Sequence, residues 1–257
     1  MPFAETYAII RNRSELKAFD FNTLPHKSFV IKPNHGSKGR GIFIVSRADT
    51  LHFQIGEKML NEAELKLQLV DILDGEYSMT NNDSILIEEK LIPGTDFKTF
   101  CDYGLADIRI IVFNLVPVAA MIRIPTEKSD GKANIAAGGI GCGIDITSGK
   151  IFSTFSNGKL YKQHFPKESQ SYQGRKIPFW DDLLFFSSKI QYFVNLGYLA
   201  LDRVITEDGP KLLEINARAG LEVQKISDIR LKNILHKIED LQIQDPQKGV
   251  EIAKTLL

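Results

Sequence analysis

In the stretch KLLEINARAG, Lys211 to Gly220, the apolar run of Leu212, Leu213 and Ile215 is interrupted by Glu214 and ends on Asn216. Strand side chains alternate between faces, so Glu214 and Asn216 point one way and Leu213 and Ile215 the other, toward a core. The longer segment LALDRVITEDGPKLLEIN reads as a hairpin turning at Glu207-Asp208-Gly209-Pro210, which places Asp202 on the opposing strand. Asp202, Glu214 and Asn216 are then hard oxygen donors able to converge on one side of the hairpin. Such donors suit Mg²⁺, with Mn²⁺ as the alternative; Mg²⁺ takes one or two carboxylates and leaves positions for water and phosphate oxygens. The competing reading is a solvated polar hairpin face.

A second cluster lies in GSKGRG: Gly36, Ser37, Lys38, Gly39, Arg40 and Gly41. No Lys-Ser/Thr follows its last glycine, which excludes a Walker A loop. The order G-x-x-G-x-G leads into a strand rather than a helix, which excludes a dinucleotide fingerprint. Flanking strands make it a hairpin tip, either a solvated turn or a lid whose N–H groups and cations fold over a polyphosphate. Lys32 favours the lid. It sits within an apolar strand, and a lysine there needs an anion.

Arginine binds carboxylate or phosphate bidentately. Arg109 and Arg123 lie in the hydrophobic strands DIRIIVF and AMIRIP, SDGKAN adds Lys132 and Asn134, and NARAG adds Arg218. A lone arginine in a strand is usually snorkelling or ion-paired. Several beside an oxygen-donor set point to an acidic substrate and a transferring phosphoryl group.

The elements that must position these residues are mostly strands. KSFVIKP and GIFIVSR flank the glycine loop, SILIEEKL leads into a Pro-Gly turn, and ADIRIIVFN and PVAAMIRIP join at a short turn over Asn114 to Pro117. In EKMLNEAELKLQLVDILDGEY, the residues Leu60, Ala63, Leu67 and Val70 are spaced for one helical face, with Gly75 as the cap. PFWDDLLFFSSKIQYFVNLG predicts a helix opened by Asp181 and Asp182 and ended by Gly197. Hairpins with occasional long helices make the fold class α+β. The 32 basic and 32 acidic residues balance to a formal charge of +0, so bulk attraction to nucleic acid or an anionic membrane is not expected. The start MPFAETYAII lacks a signal-peptide pattern, and no apolar run approaches the roughly 20 residues of a membrane span. Two isolated cysteines, Cys101 and Cys142, read as reduced thiols of a cytoplasmic protein.

The order strand-Lys-Pro, glycine-rich hairpin loop, LIEE, DIR, SDGKAN and Asp…Glu-x-Asn resembles the ATP-grasp superfamily. The wording DIRIIVFNLVPVAAMIRIPTEKSDGKAN and GYLALDRVITEDGPKLLEINARAGLEVQ is similar to its alpha-L-glutamate ligase-like, RimK-related branch, from about Pro2 to about Ile226. The resemblance implies an ATP-grasp fold. One α+β subdomain, roughly 1–90, carries the lid, another, roughly 91–257, carries the metal and substrate residues, and ATP is gripped between them. It implies an ATP-dependent carboxylate–amine ligase that forms an amide or peptide bond through an acylphosphate. Glutamate or a similar acidic amino acid is the group added, and the carboxylate and amine belong to small molecules or peptides. On this pattern Lys32 contacts the α/β-phosphates, and Gly36, Ser37, Lys38, Gly39, Arg40 and Gly41 form the lid. Glu88, Glu89, Lys90 and Leu91 hinge against adenine. Asp202, Glu214 and Asn216 hold Mg²⁺. Arg109, Arg123 and Asn134 face the phosphoryl group and acyl substrate, with Arg218 and Lys132 nearby.

Members of the superfamily normally carry a further N-terminal region that holds another nucleotide-contacting lysine and part of the substrate cleft. The resemblance implies that this region is absent here, with a partner chain as one source of it. Two other readings follow: a nucleotide-binding module or subunit without independent ligase activity, and a phosphotransferase with an alcohol or phosphate acceptor.

Overall fold

The computed structural model describes residues 3–36, 39–78, 82–101, 103–129 and 131–256. They fall into two compact units, one within residues 4–91 and one of Phe3 with the described residues of 92–256.

In the smaller unit, β1 (Thr6–Ile10), β2 (Ser28–Pro33), β3 (Phe43–Arg47), β4 (His52–Ile55), β5 (Lys58–Asn61) and β6 (Ile85–Glu89) form an antiparallel sheet in the order β1-β6-β2-β3-β4-β5. Two helices accompany it, α1 (Arg13–Ala18) and α2 (Glu62–Leu73). Phe29, Ile31, Val45, Phe53, Ile85 and Ile87 turn one face into a core with Leu65, Leu69 and Ile72 of α2. The alternate positions Val30, Lys32, Ile44, Leu86 and Glu88 lie on the other face.

The helix in this unit corrects the expected face. Asn61 accepts from the Glu64 N–H at 3.0 Å, and Glu64 accepts from the Asn61 N–H at 2.8 Å. This capping box starts the helix at Glu62, so Leu60 stays in β5. The buried stripe is Leu65, Leu69 and Ile72, whereas Leu67 is 72% exposed. Leu69→Ala is therefore expected to cost about 2–5 kcal/mol, and Leu67→Ala less than about 0.5 kcal/mol. Urea unfolding of the two variants tests this, and equal losses would restore the original face.

The larger unit contains α3 (Thr95–Lys98), β7 (Asp107–Phe113), β8 (Val116–Ile124), β9 (Ile140–Ile144), β10 (Ile151–Ser156), β11 (Lys159–Tyr161), α4 (Trp180–Val194), β12 (Tyr198–Thr206), β13 (Gly209–Asn216), α5 (Glu222–Ser227), α6 (Leu231–Ile238) and α7 (Pro246–Leu256). Its sheet runs β11-β10-β9-β8-β7-β12-β13, antiparallel throughout. Helices α4 and α7 pack on each other and on β8. The Ile226 side chain of α5 lies over Gly141, where a Cβ would sit 2.6 Å from it, so α5 covers β9 on the face that also carries Arg123.

Two turns differ from expectation. The β7–β8 connection is only Asn114-Leu115, both at positive φ (48° and 64°), the geometry that suits a two-residue hairpin. Leucine rarely adopts it. Here the Leu115 N–H donates to Gln191 Oε1 at 2.6 Å, and its carbonyl accepts from Ser188 Oγ at 2.6 Å, so α4 pins the turn. Pro117 is already in β8, opposite Val112 beside a register shift. Helix α4 ends on Asn195 at φ 53°, two residues before Gly197, because asparagine also tolerates the left-handed cap.

Candidate cation and phosphate site

Cross-strand register builds a row of charge in the larger unit. Arg123 on β8 lies directly opposite Asp107 on β7. Two residues along β7, on the same face, Arg109 lies opposite Asp202 of β12, which in turn lies opposite Glu214 of β13. Arg109 donates from Nε and Nη2 to Asp202 Oδ1 and Oδ2 at 2.7 and 2.6 Å. Arg123 donates from Nε and Nη2 to Asp107 at 2.7 and 2.7 Å, and its Nη2 also reaches Asp202 Oδ2 at 2.8 Å. Asn216 Nδ2 donates to Glu214 Oε1 at 2.8 Å and to Asp202 Oδ2 at 3.3 Å.

A bulge aims this row. Asp202 pairs with Glu214 but Arg203 pairs with Leu212, so Leu213 is an extra residue on β13. With regular pairing, Leu212 and Glu214 would share a face. The extra residue sends Leu212 inward with Arg203 and leaves Glu214 beside Asp202. β13 is an edge strand, and Ile215, expected to enter a core, is 38% exposed.

The electrostatics follow from burial and sharing. Asp202 is 1% exposed. Burial works against its charge, but the Arg109 hydrogen bonds and both guanidinium charges hold its carboxyl below the usual range. Glu214 moves up, first by burial and then by its hydrogen-bond contact with Asp202 and that group's charge. Asp107 also moves up, through burial and the neighbouring Asp202 charge, against the pull of Arg123. Arg123 is held protonated more firmly than a free arginine, because Asp107 and Asp202 outweigh its burial. Two guanidinium groups thus face the carboxylates of Asp107, Asp202 and Glu214, so the row is one positive charge short of balance when all are ionised.

The structure brings together Asp202, Glu214, Asn216, Arg109 and Arg123. Asn134 has a local role, its Oδ1 accepting from the Ala136 N–H at 3.0 Å to cap a short 3₁₀ turn. Arg218 lies exposed in the turn after β13. Asp107 was missed by the sequence reading. The signal was present in DIR, since alternation puts Asp107 and Arg109 on one face. Among the described residues no cluster of three or more His, Cys, Asp or Glu side chains is arranged for a metal, and the set here is two carboxylates and an amide.

In the smaller unit, the anion that Lys32 requires is Glu88: the Lys32 Nζ–Glu88 Oε2 distance is 2.6 Å. Register explains the pair, since Val30 opposes Glu88 and Lys32 opposes Leu86, leaving Lys32 and Glu88 as diagonal neighbours on one face. Glu89 Oε2 accepts from the Glu5 N–H at 3.2 Å. Lys90 follows β6, and Leu91 is buried at the boundary of the unit. Of the glycine loop, Gly36, Gly39, Arg40 and Gly41 are described, while Ser37 and Lys38 lie outside the described residues. Gly39 and Gly41 have φ of 71° and 72°. A Cβ on Gly41 would meet the Tyr77 ring at 2.6 Å, so glycine is required there.

The base of this loop is held by Asp83, whose side chain is fully buried. It accepts from His35 Nδ1 at 2.9 Å, the His35 N–H at 3.0 Å and the Ser84 N–H at 2.7 Å. Burial pushes its carboxyl up, but these bonds outweigh it, and the net direction is down. A depressed folded-state value stabilises the fold above the ordinary carboxylate range, and that contribution disappears as pH falls through the folded value. The stability gap between the native chain and Asp83→Asn is therefore expected to be largest near neutral pH and to shrink on acidification. A gap independent of pH would contradict it.

No helix among the described residues is long and apolar enough to cross a membrane. None of the curated proteins matches the chain. Among solved structures, it is similar to a RiPP-associated ATP-grasp ligase of Chryseobacterium gregarium, in complex with ADP and a leader and core peptide. That likeness has 15% identity and a TM-score of 0.40, over 99% of this chain and 54% of the other. It is similar to D-alanine–D-alanine ligase from Bacillus anthracis complexed with ATP, at 12% identity and a TM-score of 0.41, over 99% of this chain and 61% of the other. It is similar to a RimK domain ATP-grasp protein from Sphaerobacter thermophilus, at 12% identity and a TM-score of 0.38, over 99% of this chain and 58% of the other. The chain thus spans less than two thirds of the length of each. The model of the sugar-transfer associated ATP-grasp family matches residues 1–240, and the chain, an α+β protein of the ATP-grasp fold, belongs to that family.

Proposed function

We propose that the protein is an ATP-dependent carboxylate–amine ligase. The observation that carries this reading is the charge row, in which Asp202, Glu214 and Asn216 stand beside Arg109 and Arg123. The donor set fits a divalent cation. The row lacks one positive charge, and Glu214, whose ionisation the neighbouring Asp202 disfavours, is the partly solvent-accessible carboxylate. Asp202, Glu214 and Asn216 would hold Mg²⁺, which would supply charge neutralisation for phosphate oxygens when bound.

In this reading a substrate carboxylate oxygen bonds to the γ-phosphorus of ATP as the bond to ADP breaks. An amine nitrogen then bonds to the acyl carbon, phosphate leaves and the nitrogen loses a proton. This chain's residues position and neutralise rather than react. Arg109 and Arg123, oriented by carboxylates, present positive charge to the transferring group. Lys32 and the Gly36–Gly41 loop contact phosphates, and Glu88 to Leu91 contact adenine. Lys32 must then exchange Glu88 for a phosphate oxygen. Asn134, Lys132 and Arg218 are assigned to the acyl substrate.

With a divalent cation bound the row would carry one net positive charge, which supports an acidic acyl or amino-acid substrate, as in the RimK-related branch that the sequence resembles. The family description adds a sugar-linked acid or amine to the candidates. The test is acylphosphate capture: the chain is incubated with ATP, Mg²⁺, hydroxylamine and a panel including glutamate, short acidic peptides and sugar acids. A hydroxamate formed together with ADP supports the ligase. Nucleotide binding without hydroxamate from any acid assigns a nucleotide-binding module instead. A stable phosphorylated alcohol or phosphate assigns a phosphotransferase.

A further inference from the structure

The two arginines of the charge row are anchored differently. Arg109 makes both of its short bonds to Asp202, and its other carboxylate neighbour, Glu214, is 3.8 Å away. Arg123 makes a bidentate pair with Asp107 and only a third bond to Asp202. Asp202 is the carboxylate assigned to the cation, and Asp107 is not. A cation competes with both guanidinium groups for the Asp202 oxygens. A cation holding both of them would leave Arg109 without its short contacts, whereas Arg123 would keep its bidentate pair with Asp107.

That partner is built in. Asp107 is 6% exposed and sits directly across the β7–β8 ladder from Arg123, so backbone register fixes the pair. We propose that Asp107 is a positioning residue that holds Arg123 in place whatever Asp202 binds, leaving Arg109 as the guanidinium that changes partner when a divalent cation enters. The inference rests on the reading of Asp202, Glu214 and Asn216 as the cation site. It divides the labour of two residues that look equivalent in the sequence. Arg123 is a fixed positive point, and Arg109 is released beside the cation to meet an anion.

The experiment is an Mg²⁺ titration in the presence of ADP, using the full chain with ¹⁵N-labelled arginine. The side-chain Nε–Hε signals are assigned with Arg109→Lys and Arg123→Lys variants, and calorimetry is run in parallel. The expected result is a shift of the Arg109 signal and faster exchange of its Hε with water, with the Arg123 signal unchanged. In Asp107→Asn the Arg123 signal is expected to respond to the cation as well. Cation binding with both native signals moving, or with neither moving, overturns the inference while leaving the cation site standing. Absence of binding heat, with no signal change, overturns the cation-site reading and the inference together. An Asp107→Asn variant whose Arg123 signal stays fixed removes Asp107 from the role. The native titration decides the matter even where that variant fails to fold.

Discussion

Asp202→Ala is expected to lower folding stability by about 3–5 kcal/mol, the cost of breaking a buried charge pair by removing one partner. Asp202 is almost wholly buried and accepts from both arginines. Removing it strips Arg109 of its short bonds and leaves that guanidinium, 8% exposed, with only a distant carboxylate. Arg123 suffers less because Asp107 remains. Asp202→Asn, which keeps one acceptor oxygen, should fall between the native chain and the alanine variant. Urea unfolding of the three proteins is the measurement. An unchanged midpoint for Asp202→Ala would mean that both arginines find other partners and that the row does not hold the sheet together.

Glu214→Gln is expected to do the opposite: a large loss of function with little change in stability. The Glu214 side chain is 58% exposed. The side chain is open to solvent on one side, but its carboxyl sits against the Asp202 carboxylate, which disfavours its charge, so neutralising it removes a repulsion. Stability should stay within about 0.5 kcal/mol of the native value. Mg²⁺ affinity in the presence of nucleotide should fall on the order of 100-fold, about 2.7 kcal/mol. Acylphosphate capture should fall about 10²–10³-fold, the usual loss when one charge-stabilising group at a transferring centre is removed. Paired with Asp202→Ala, this separates the group that ligates from the group that also supports the fold. Undiminished Mg²⁺ affinity in Glu214→Gln would take Glu214 out of the cation site.

That Glu214 and Asn216 belong together was readable because strand alternation is a local property, whereas the turn, expected over Glu207 to Pro210, is only Glu207-Asp208. Glu214 and Asn216 share a face, and Asp202 opposes Glu214 across the ladder. The bulge at Leu213 was not readable. An extra residue changes pairing, and pairing is a relation between two strands rather than a pattern within one. The same limit explains Lys32. A lysine in an apolar strand announces that it needs an anion, but the identity of Glu88 depends on β2–β6 register. Asp107 was legible in principle, two residues before Arg109, yet its importance lies in facing Arg123 on the next strand. The helix face was misread because Leu60 and Leu67 carried weight that the Asn61–Glu64 capping box takes away. Where tertiary pairing decides, a single sequence offers the candidates and the ladder chooses among them.

The most direct test of the central claim is calorimetric binding of Mg²⁺ to the chain in the presence of ADP, compared with Glu214→Gln. The account predicts saturable Mg²⁺ binding that depends on the nucleotide and is weakened on the order of 100-fold by the substitution. Nucleotide binding that is indifferent to Mg²⁺, or identical Mg²⁺ binding in the two proteins, would contradict the assignment of the charge row as the cation and phosphate site.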